Sequence, residues 1–402
     1  MRVLVADKLP EAARTDLAEQ GFDVTFEPEL NGSSLTEALL LHDPEALIVR
    51  STKVQAEQLE AARSLRLVIR AGAGVNTIDM ETASARAVCV ANCPGMNAVA
   101  VAELAFGHVL NADRRISDGV ADLRAGRWQK KVYSKAHGLK GRVLGVIGCG
   151  SIGQEMIKRA LAFEMRVVAW SPSLDDERAA ALGVDRAGSA VDVASRADVM
   201  SIHVALSPST RGMVNEEVLG ALRPGATLVN TSRGEVVDEQ ALARAVRERG
   251  VRAGLDVFCG EPPADGDWEH ELASLDGVYG THHIGASTDQ AQEAVAAEAC
   301  RILVEFRDAG VAPNCVNVAV ETLASNLLVV RHEDRVGVLA GLLDRLRRAE
   351  VNVQQMENVI FAGEGGAACA RIQVEGDLSP ELVAELAEPP AVFDVVAVPL
   401  TS

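Results

Sequence analysis

Three polar residues stand where an apolar core would not put them. Arg233 lies in Asn230-Thr231-Ser232-Arg233-Gly234, Glu261 in Leu255-Asp256-Val257-Phe258-Cys259-Gly260-Glu261-Pro262, and His283 in Thr281-His282-His283-Ile284-Gly285-Ala286. Each segment follows a short β-type run. A histidine can take a hydroxyl proton as a base and return it as an acid. A carboxylate beside it favours the imidazolium and fixes the tautomer. An arginine grips a substrate carboxylate in a two-pronged fork. Taken singly, each residue is more often structural; together, downstream of a dinucleotide-binding turn, they form a set for hydride transfer at a carbon that carries a hydroxyl.

That turn is Gly148-Cys149-Gly150-Ser151-Ile152-Gly153. Val143, Leu144, Val146 and Ile147 precede it as a run without helical spacing, as in a strand buried on both faces. Ile152, Met156, Ile157, Ala160 and Leu161 follow at helical spacing, and Val167 to Trp170 form a second β run. In this context Gly148 permits the tight turn, Gly150 lets a pyrophosphate reach the backbone, and Gly153 lets helix and strand pack closely. An acid that would hold the ribose hydroxyls is expected roughly 20 residues further on. That position reads Trp170-Ser171-Pro172-Ser173, with Arg178 the nearest arginine. NAD is the expected cofactor, ahead of NADP.

These residues need a scaffold of parallel strands. Arg2–Ala6, Phe22–Phe26, Ala46–Val49 and Leu67–Ile69 are predicted strands, with a helix over Pro10–Gly21, so the first hundred residues form their own α/β unit. Arg50-Ser51-Thr52-Lys53 and Arg70-Ala71-Gly72-Ala73-Gly74 follow strand ends, where open α/β sheets bind ligands. Ala98–Leu110 is a largely buried helix and a hinge into the cofactor unit, which continues with strands at Val199–His203 and Thr227–Asn230 and a helix near Glu216–Leu222. From Asn326 onward the pattern reads strand, helix, strand, strand, helix, strand, the ferredoxin-like βαββαβ order.

The net charge of −18 over 402 residues argues against a nucleic-acid partner, which needs a basic face. No apolar run reaches the roughly 18 to 20 residues that span a bilayer. With early acids in MRVLVADKLPEAARTDL and seven cysteines lacking any Cys-x-x-Cys pair, a cytoplasmic protein with reduced thiols is expected, with no membrane partner and no metal site.

Beyond these elements, RSTKV, RAGAGVN, NCPGMNAVAVAEL, GCGSIG, NTSRGEVVDEQAL, GLDVFCGEPP and HHIGAST recur in order along nearly the whole chain. In these it resembles the D-isomer-specific 2-hydroxyacid dehydrogenases. The resemblance implies an α/β protein of two doubly wound parallel-sheet domains, a flavodoxin-like substrate domain (1–97 and 288–323) and a Rossmann cofactor domain (98–287), closing on each other to exclude water. It implies Arg233, Glu261 and His283 as the catalytic three. Gly148, Gly150, Ser151, Ile152, Gly153, Ser171, Thr231, Ser232, Asp256, Gly285 and Ala286 would hold NAD, and Arg50, Ser51, Gly74 and Asn97 the substrate. His282 stands where the family has proline. Neighbours on an extended segment point oppositely, and the Ile-Gly-Ala that follows selects His283.

Residues 326–402 resemble an ACT regulatory domain in His332-Glu333-Asp334-Arg335-Val336-Gly337-Val338-Leu339 and Val351-Asn352-Val353. That resemblance names His332, Asp334 and Asn352 for an amino-acid effector. A homodimer or homotetramer is expected. The substrate that the family resemblance implies is 3-phospho-D-glycerate, and Arg50 and Lys53 with Lys130 and Lys131 nearby favour its phosphate. The alternatives are an unphosphorylated acid such as glyoxylate, hydroxypyruvate or D-lactate, and, in a different class, a non-catalytic NAD sensor.

Overall fold

Short runs of Val, Ile and Leu set between helices can satisfy their backbone only by pairing with one another, and they do so here in three sheets. A computed structural model describes residues 1–262, 265–319, 322–362 and 365–400. Pro263, the last residue of the GLDVFCGEPP motif, lies outside the described residues. The chain forms two compact units, Met1–Asn317 and Val318–Ser402.

The first unit holds two parallel sheets. β1 (Arg2–Val5), β2 (Asp23–Phe26), β3 (Ala46–Val49), β4 (Leu67–Arg70) and β5 (Cys89–Asn92) pair in the order β2-β1-β3-β4-β5. This is the flavodoxin-like 2-1-3-4-5 order. All four residues of β3 are buried, as a strand covered on both faces requires. One face is covered by a segment far away in sequence. Val295, Ala299, Ile302 and Leu303 of the helix Asp289–Ala309 share a core with Val3, Val5, Ile48 and Ile69. The unit ends at Asn317 rather than at 323, because Asn317 accepts the Val90 amide at 2.8 Å and donates to the Val88 carbonyl at 2.9 Å, stitching the segment to β5. Neither β5 nor its tether is among the expected elements, since Cys-Val-Ala-Asn is too short to show a period.

The second sheet contains β6 (Val143–Ile147), β7 (Arg166–Trp170), β8 (Asp185–Arg186), β9 (Val199–Ile202), β10 (Thr227–Asn230), β11 (Arg252–Leu255) and β12 (Val278–Gly280). Its order, β8-β7-β6-β9-β10-β11-β12, is the Rossmann 3-2-1-4-5-6 sequence with one further strand. The order reverses between β6 and β9, and the crevice there opens beside the glycine turn. The predicted hinge helix runs from Ala98 to Arg114 and packs Ala102, Ala105, Phe106 and Val109 with Leu144, Val146 and Val229 of this sheet.

In the second unit, β13 (Asn326–Glu333), β14 (Asn352–Ile360), β15 (Ala367–Glu375) and β16 (Val392–Pro399) form an antiparallel sheet ordered β14-β15-β13-β16. The helices Val338–Arg348 and Pro380–Ala387 bury Leu342, Leu346, Leu382 and Leu386 against Leu328, Val330, Ile372 and Val374. The element order is βαββαβ. No helix among the described residues is long and apolar enough to cross a membrane.

Candidate active site

Arg233, Glu261 and His283 follow the carboxyl ends of three adjacent strands, β10, β11 and β12. His283 Nδ1 lies 2.7 Å from Glu261 Oε2, and the other carboxylate oxygen accepts the Phe258 amide at 2.9 Å. Since an ionised carboxylate can only accept, Nδ1 carries the proton and Nε2 is left for chemistry. Burial works to raise the Glu261 carboxyl. The hydrogen bonds from His283 and Phe258, with the charges of His283 and Arg233, outweigh it and hold the group below its ordinary value. The loops bearing Arg233 and Glu261 meet backbone to backbone, because a Cβ on Gly234 would lie 2.2 Å from the Phe258 carbonyl carbon.

His283 is not extended. Its φ is +53°, in the left-handed region, so the alternation argument that separated it from His282 does not describe this segment. The pairing with Glu261 separates the two, while His282 is exposed and bonds no side chain among the described residues. A non-glycine residue held there costs on the order of 1–3 kcal/mol, and Asp256 supplies the restraint. Its carboxylate, 1% exposed, accepts the Thr281 hydroxyl at 2.6 Å and the amides of Ile284 and Gly285 at 2.9 and 2.8 Å. Its carbonyl takes the His283 amide at 2.9 Å. Because the Thr281 proton points at Asp256, its lone pair must accept from His108 Nε2, 3.1 Å away. Burial pushes the His108 imidazole below its usual value, opposed by the Asp256 charge. His108 and Thr281 escape a sequence reading; no local pattern links residues on a helix and a distant loop.

The glycine turn fits a dinucleotide. A Cβ on Gly153 would lie 2.0 Å from the Gly148 carbonyl oxygen, and one on Gly148, whose φ is +97°, would lie 2.7 Å from that of His203. Gly150 has nothing within 4 Å, so its backbone faces open space at the start of the helix Ser151–Ala162, which also carries Ile152. The Thr231 hydroxyl, just past the end of β10, is buried without a partner among the described residues. Two expected cofactor contacts are otherwise engaged: Ser232 Oγ donates to Asn230 at 2.8 Å, and Asp256 anchors the His283 loop. Ser171 follows β7, and Gly285 is packed so that a Cβ would lie 2.9 Å from Asp256 Oδ2.

A cavity of about 160 Å³ joins the two sheets' loops, lined by His283, Ala286 and Asn97 together with Lys8, Arg50 and Arg70. Asp7 shapes one wall, accepting the amides of Arg50, Ser51 and Thr52 at 2.7, 3.1 and 3.0 Å and the Ser51 hydroxyl at 3.0 Å. Ser51 is thus spent on the loop, while Arg50 reaches Gln292 at 3.3 Å. Gly74 lies beside Arg233: a Cβ there would be 3.3 Å from Nη2. Burial, then the charges of Arg233 and Arg50, pull Arg70 below its ordinary value, and its Nε is buried without a partner among the described residues. Three guanidiniums crowded in this way call for an anion. Lys53, Lys130 and Lys131, expected to help with a phosphate, do not line the cavity; Lys8 and Arg70, each at or just beyond a strand end, do.

The proposed regulatory residues are not gathered within one chain. His332 is buried, with Nε2 3.1 Å from Asn358 and Nδ1 2.8 Å from the Glu333 carbonyl. Asp334 is exposed next to it, whereas Asn352 pairs with Glu375 at the opposite end of the sheet.

The profile described as D-isomer specific 2-hydroxyacid dehydrogenase, NAD binding domain, matches residues 106–285. The chain is similar to a D-3-phosphoglycerate dehydrogenase of Methanocaldococcus jannaschii, 38% identical over 79% of this chain and 60% of that one. It thus spans about three fifths of that relative's length. A hydroxypyruvate reductase of Thermotoga maritima is 40% identical over 77% of this chain and 99% of its own. Among solved structures, an NAD+-bound 3-phosphoglycerate dehydrogenase of Entamoeba histolytica superposes with a TM-score of 0.65 at 25% identity, covering 80% of this chain and 99% of that one.

Proposed function

The chain belongs to the D-isomer-specific 2-hydroxyacid dehydrogenases, and on that premise we propose that it is an NAD-dependent D-3-phosphoglycerate dehydrogenase, oxidising 3-phospho-D-glycerate to 3-phosphohydroxypyruvate at the entry to serine biosynthesis. The observation that carries this reading is the Glu261–His283 pair at the edge of a cavity that also holds Arg50 and Arg70. Bound NAD supplies the hydride acceptor. His283 Nε2 takes the hydroxyl proton as the oxygen's electron pair closes the carbonyl, and Glu261 keeps that imidazole in the right tautomer and steadies its charge. Arg233 holds the substrate carboxylate, and Arg50, Arg70 and Lys8 face its phosphate.

In this reading residues 1–97 and 288–317 bind substrate, 98–287 bind NAD, and 326–402 form an ACT domain. The βαββαβ order supports the last of these. An amino-acid effector there would need Asn352 from a second chain to meet His332 and Asp334, which favours a homodimer or homotetramer. The seven unpaired cysteines suit the cytoplasm. The match over 99% of the Thermotoga maritima protein supports a second reading, reduction of hydroxypyruvate. Spectrophotometric turnover of 3-phospho-D-glycerate against D-glycerate decides between them. The expected result is a preference for the phosphorylated acid that is lost in Arg50→Ala. Equal use of both acids, unchanged by that substitution, overturns the first reading.

A further inference from the structure

We propose that the adenosine end of the cofactor site accepts a 2′-phosphate, so that the protein binds NADP as well as NAD, with Arg178 as the phosphate ligand and the hydroxyls of Ser171 and Ser173 beside it. The proposal rests on the reading of the glycine turn as a dinucleotide cradle and adds the chemistry of its far end. In such folds the residue after the second strand decides the matter: a carboxylate there binds the ribose diol and repels a 2′-phosphate, whereas an arginine nearby accommodates it. Here the second strand ends at Trp170 and is followed by Ser171-Pro172-Ser173, with no acid.

The cation that sequence distance left aside is brought in by the fold. Arg178 is half-buried, and its guanidinium spans the two segments that flank an adenosine ribose. Nη2 donates to the Cys149 carbonyl inside the glycine turn at 3.1 Å, and Nη1 to the Ser173 hydroxyl at 3.4 Å. Both acceptors are neutral, so the positive charge is not cancelled, and a guanidinium has five N–H donors. Of the three acids just before it, Asp175 and Asp176 are engaged elsewhere, and Glu177 makes no ion pair with it among the described residues. Asp175 accepts the Arg178 amide at 2.8 Å in capping its own helix, and Asp176 pairs with Arg186 at 3.2 Å. By contrast Arg159, on the helix that leaves the turn, is paired with both Glu155 and Glu103. A guanidinium without an ion pair among the described residues, bonded to one serine hydroxyl on a loop that carries a second at Ser171, is a donor set that a phosphate monoester takes.

Isothermal titration of the full chain with NAD and with NADP, paired with hydride-transfer assays using each, tests this. NADP is expected to bind within about tenfold of NAD. Arg178→Ala should shift the ratio of the two affinities towards NAD by about tenfold or more, equivalent to about 1.4 kcal/mol. Ser171→Asp should shift it the same way, and Arg178→Lys should fall between. Undetectable NADP binding alongside normal NAD binding overturns the proposal and leaves the dehydrogenase reading intact. So does an unchanged ratio in Arg178→Ala with both dinucleotides weakened alike, which would make Arg178 only a brace of the turn. Loss of both ligands by the wild type overturns the cradle reading itself, and this proposal with it.

Discussion

Two histidine–glutamate pairs hold adjacent amides of the segment after β11, and they behave as opposites. Glu261–His283 is 2.7 Å long, with the imidazole 46% exposed at the edge of the cavity. Glu239–His270 is 3.2 Å long and largely covered, its imidazole 15% exposed. That ring stacks on Trp268 at 5.0 Å and meets Phe258 edge-on at 5.1 Å, and its Nδ1 is buried without a partner among the described residues. Glu239 accepts the Cys259 amide at 2.8 Å, next to the Phe258 amide that holds Glu261. The buried pair therefore props the turn from which the open pair works. Glu239 also flanks Cys259, whose thiol burial and then the Glu239 charge push up to about 11. On the proposed reading, identical residue types serve chemistry or support according to whether the free ring nitrogen faces a cavity or an aromatic wall.

The largest expected effect breaks the open pair. His283→Ala should lower kcat by about 10²–10⁴-fold, the usual worth of a general acid–base group, with NAD affinity retained by titration. His270→Ala should instead lower the thermal midpoint and cost kcat far less, and His282→Ala should be nearly silent. A reversed ranking would show that the wrong histidine has been chosen. Glu261→Gln comes next, at about 10–100-fold in kcat. In the wild type this carboxyl stays ionised to lower pH than an ordinary glutamate, so the pair's support is present above that depressed value and lost as pH falls through it. A pH–rate series should show that acid-side loss in the wild type and not in Glu261→Gln, which has no carboxyl to protonate.

A smaller effect tests the support beneath His283. Thr281→Val cuts the link from His108 to Asp256 while nearly keeping the shape, and should reduce kcat by about tenfold with little change in KM. A change confined to thermal stability would make that link structural only. The smallest effect concerns His203, whose Nε2 is 2.8 Å from Ser201 Oγ and whose pKa burial pushes down to about 4. An unfolded histidine takes its proton near pH 6.5, and the native one not until about 4, so stability should fall as pH drops between those values, by at most about 1.4 kcal/mol per pH unit. Urea midpoints of His203→Gln should lack that part of the slope.

Most strands, the glycine turn and the three residues proposed for catalysis could be read from the chain because each rests on a local pattern: a β-branched run, a glycine spacing, a polar residue just past a strand. What could not be read has no local signature. β5 is too short to show a period. Arg70 and Lys8 obey the strand-end rule as well as Arg50 does, yet only packing shows that they share a cavity with His283 while Lys53, Lys130 and Lys131 do not. The alternation argument for His283 over His282 does not describe the backbone, since residue 283 is left-handed, and what sets the two apart is the bond from His283 to Glu261.

Sequence alone determined the alternation of strands and helices, the glycines that leave room for a dinucleotide, and which side chains could carry a proton or grip an anion; these are matters of local sterics and of side-chain chemistry. Tertiary structure alone decided which of those side chains meet. The helix Asp289–Ala309 closes a sheet begun nearly three hundred residues earlier, Arg178 reaches the turn at Cys149, and His108 reaches Asp256 through Thr281. Such meetings depend on how buried surfaces pack between segments remote along the chain, and no window of neighbouring residues contains that information.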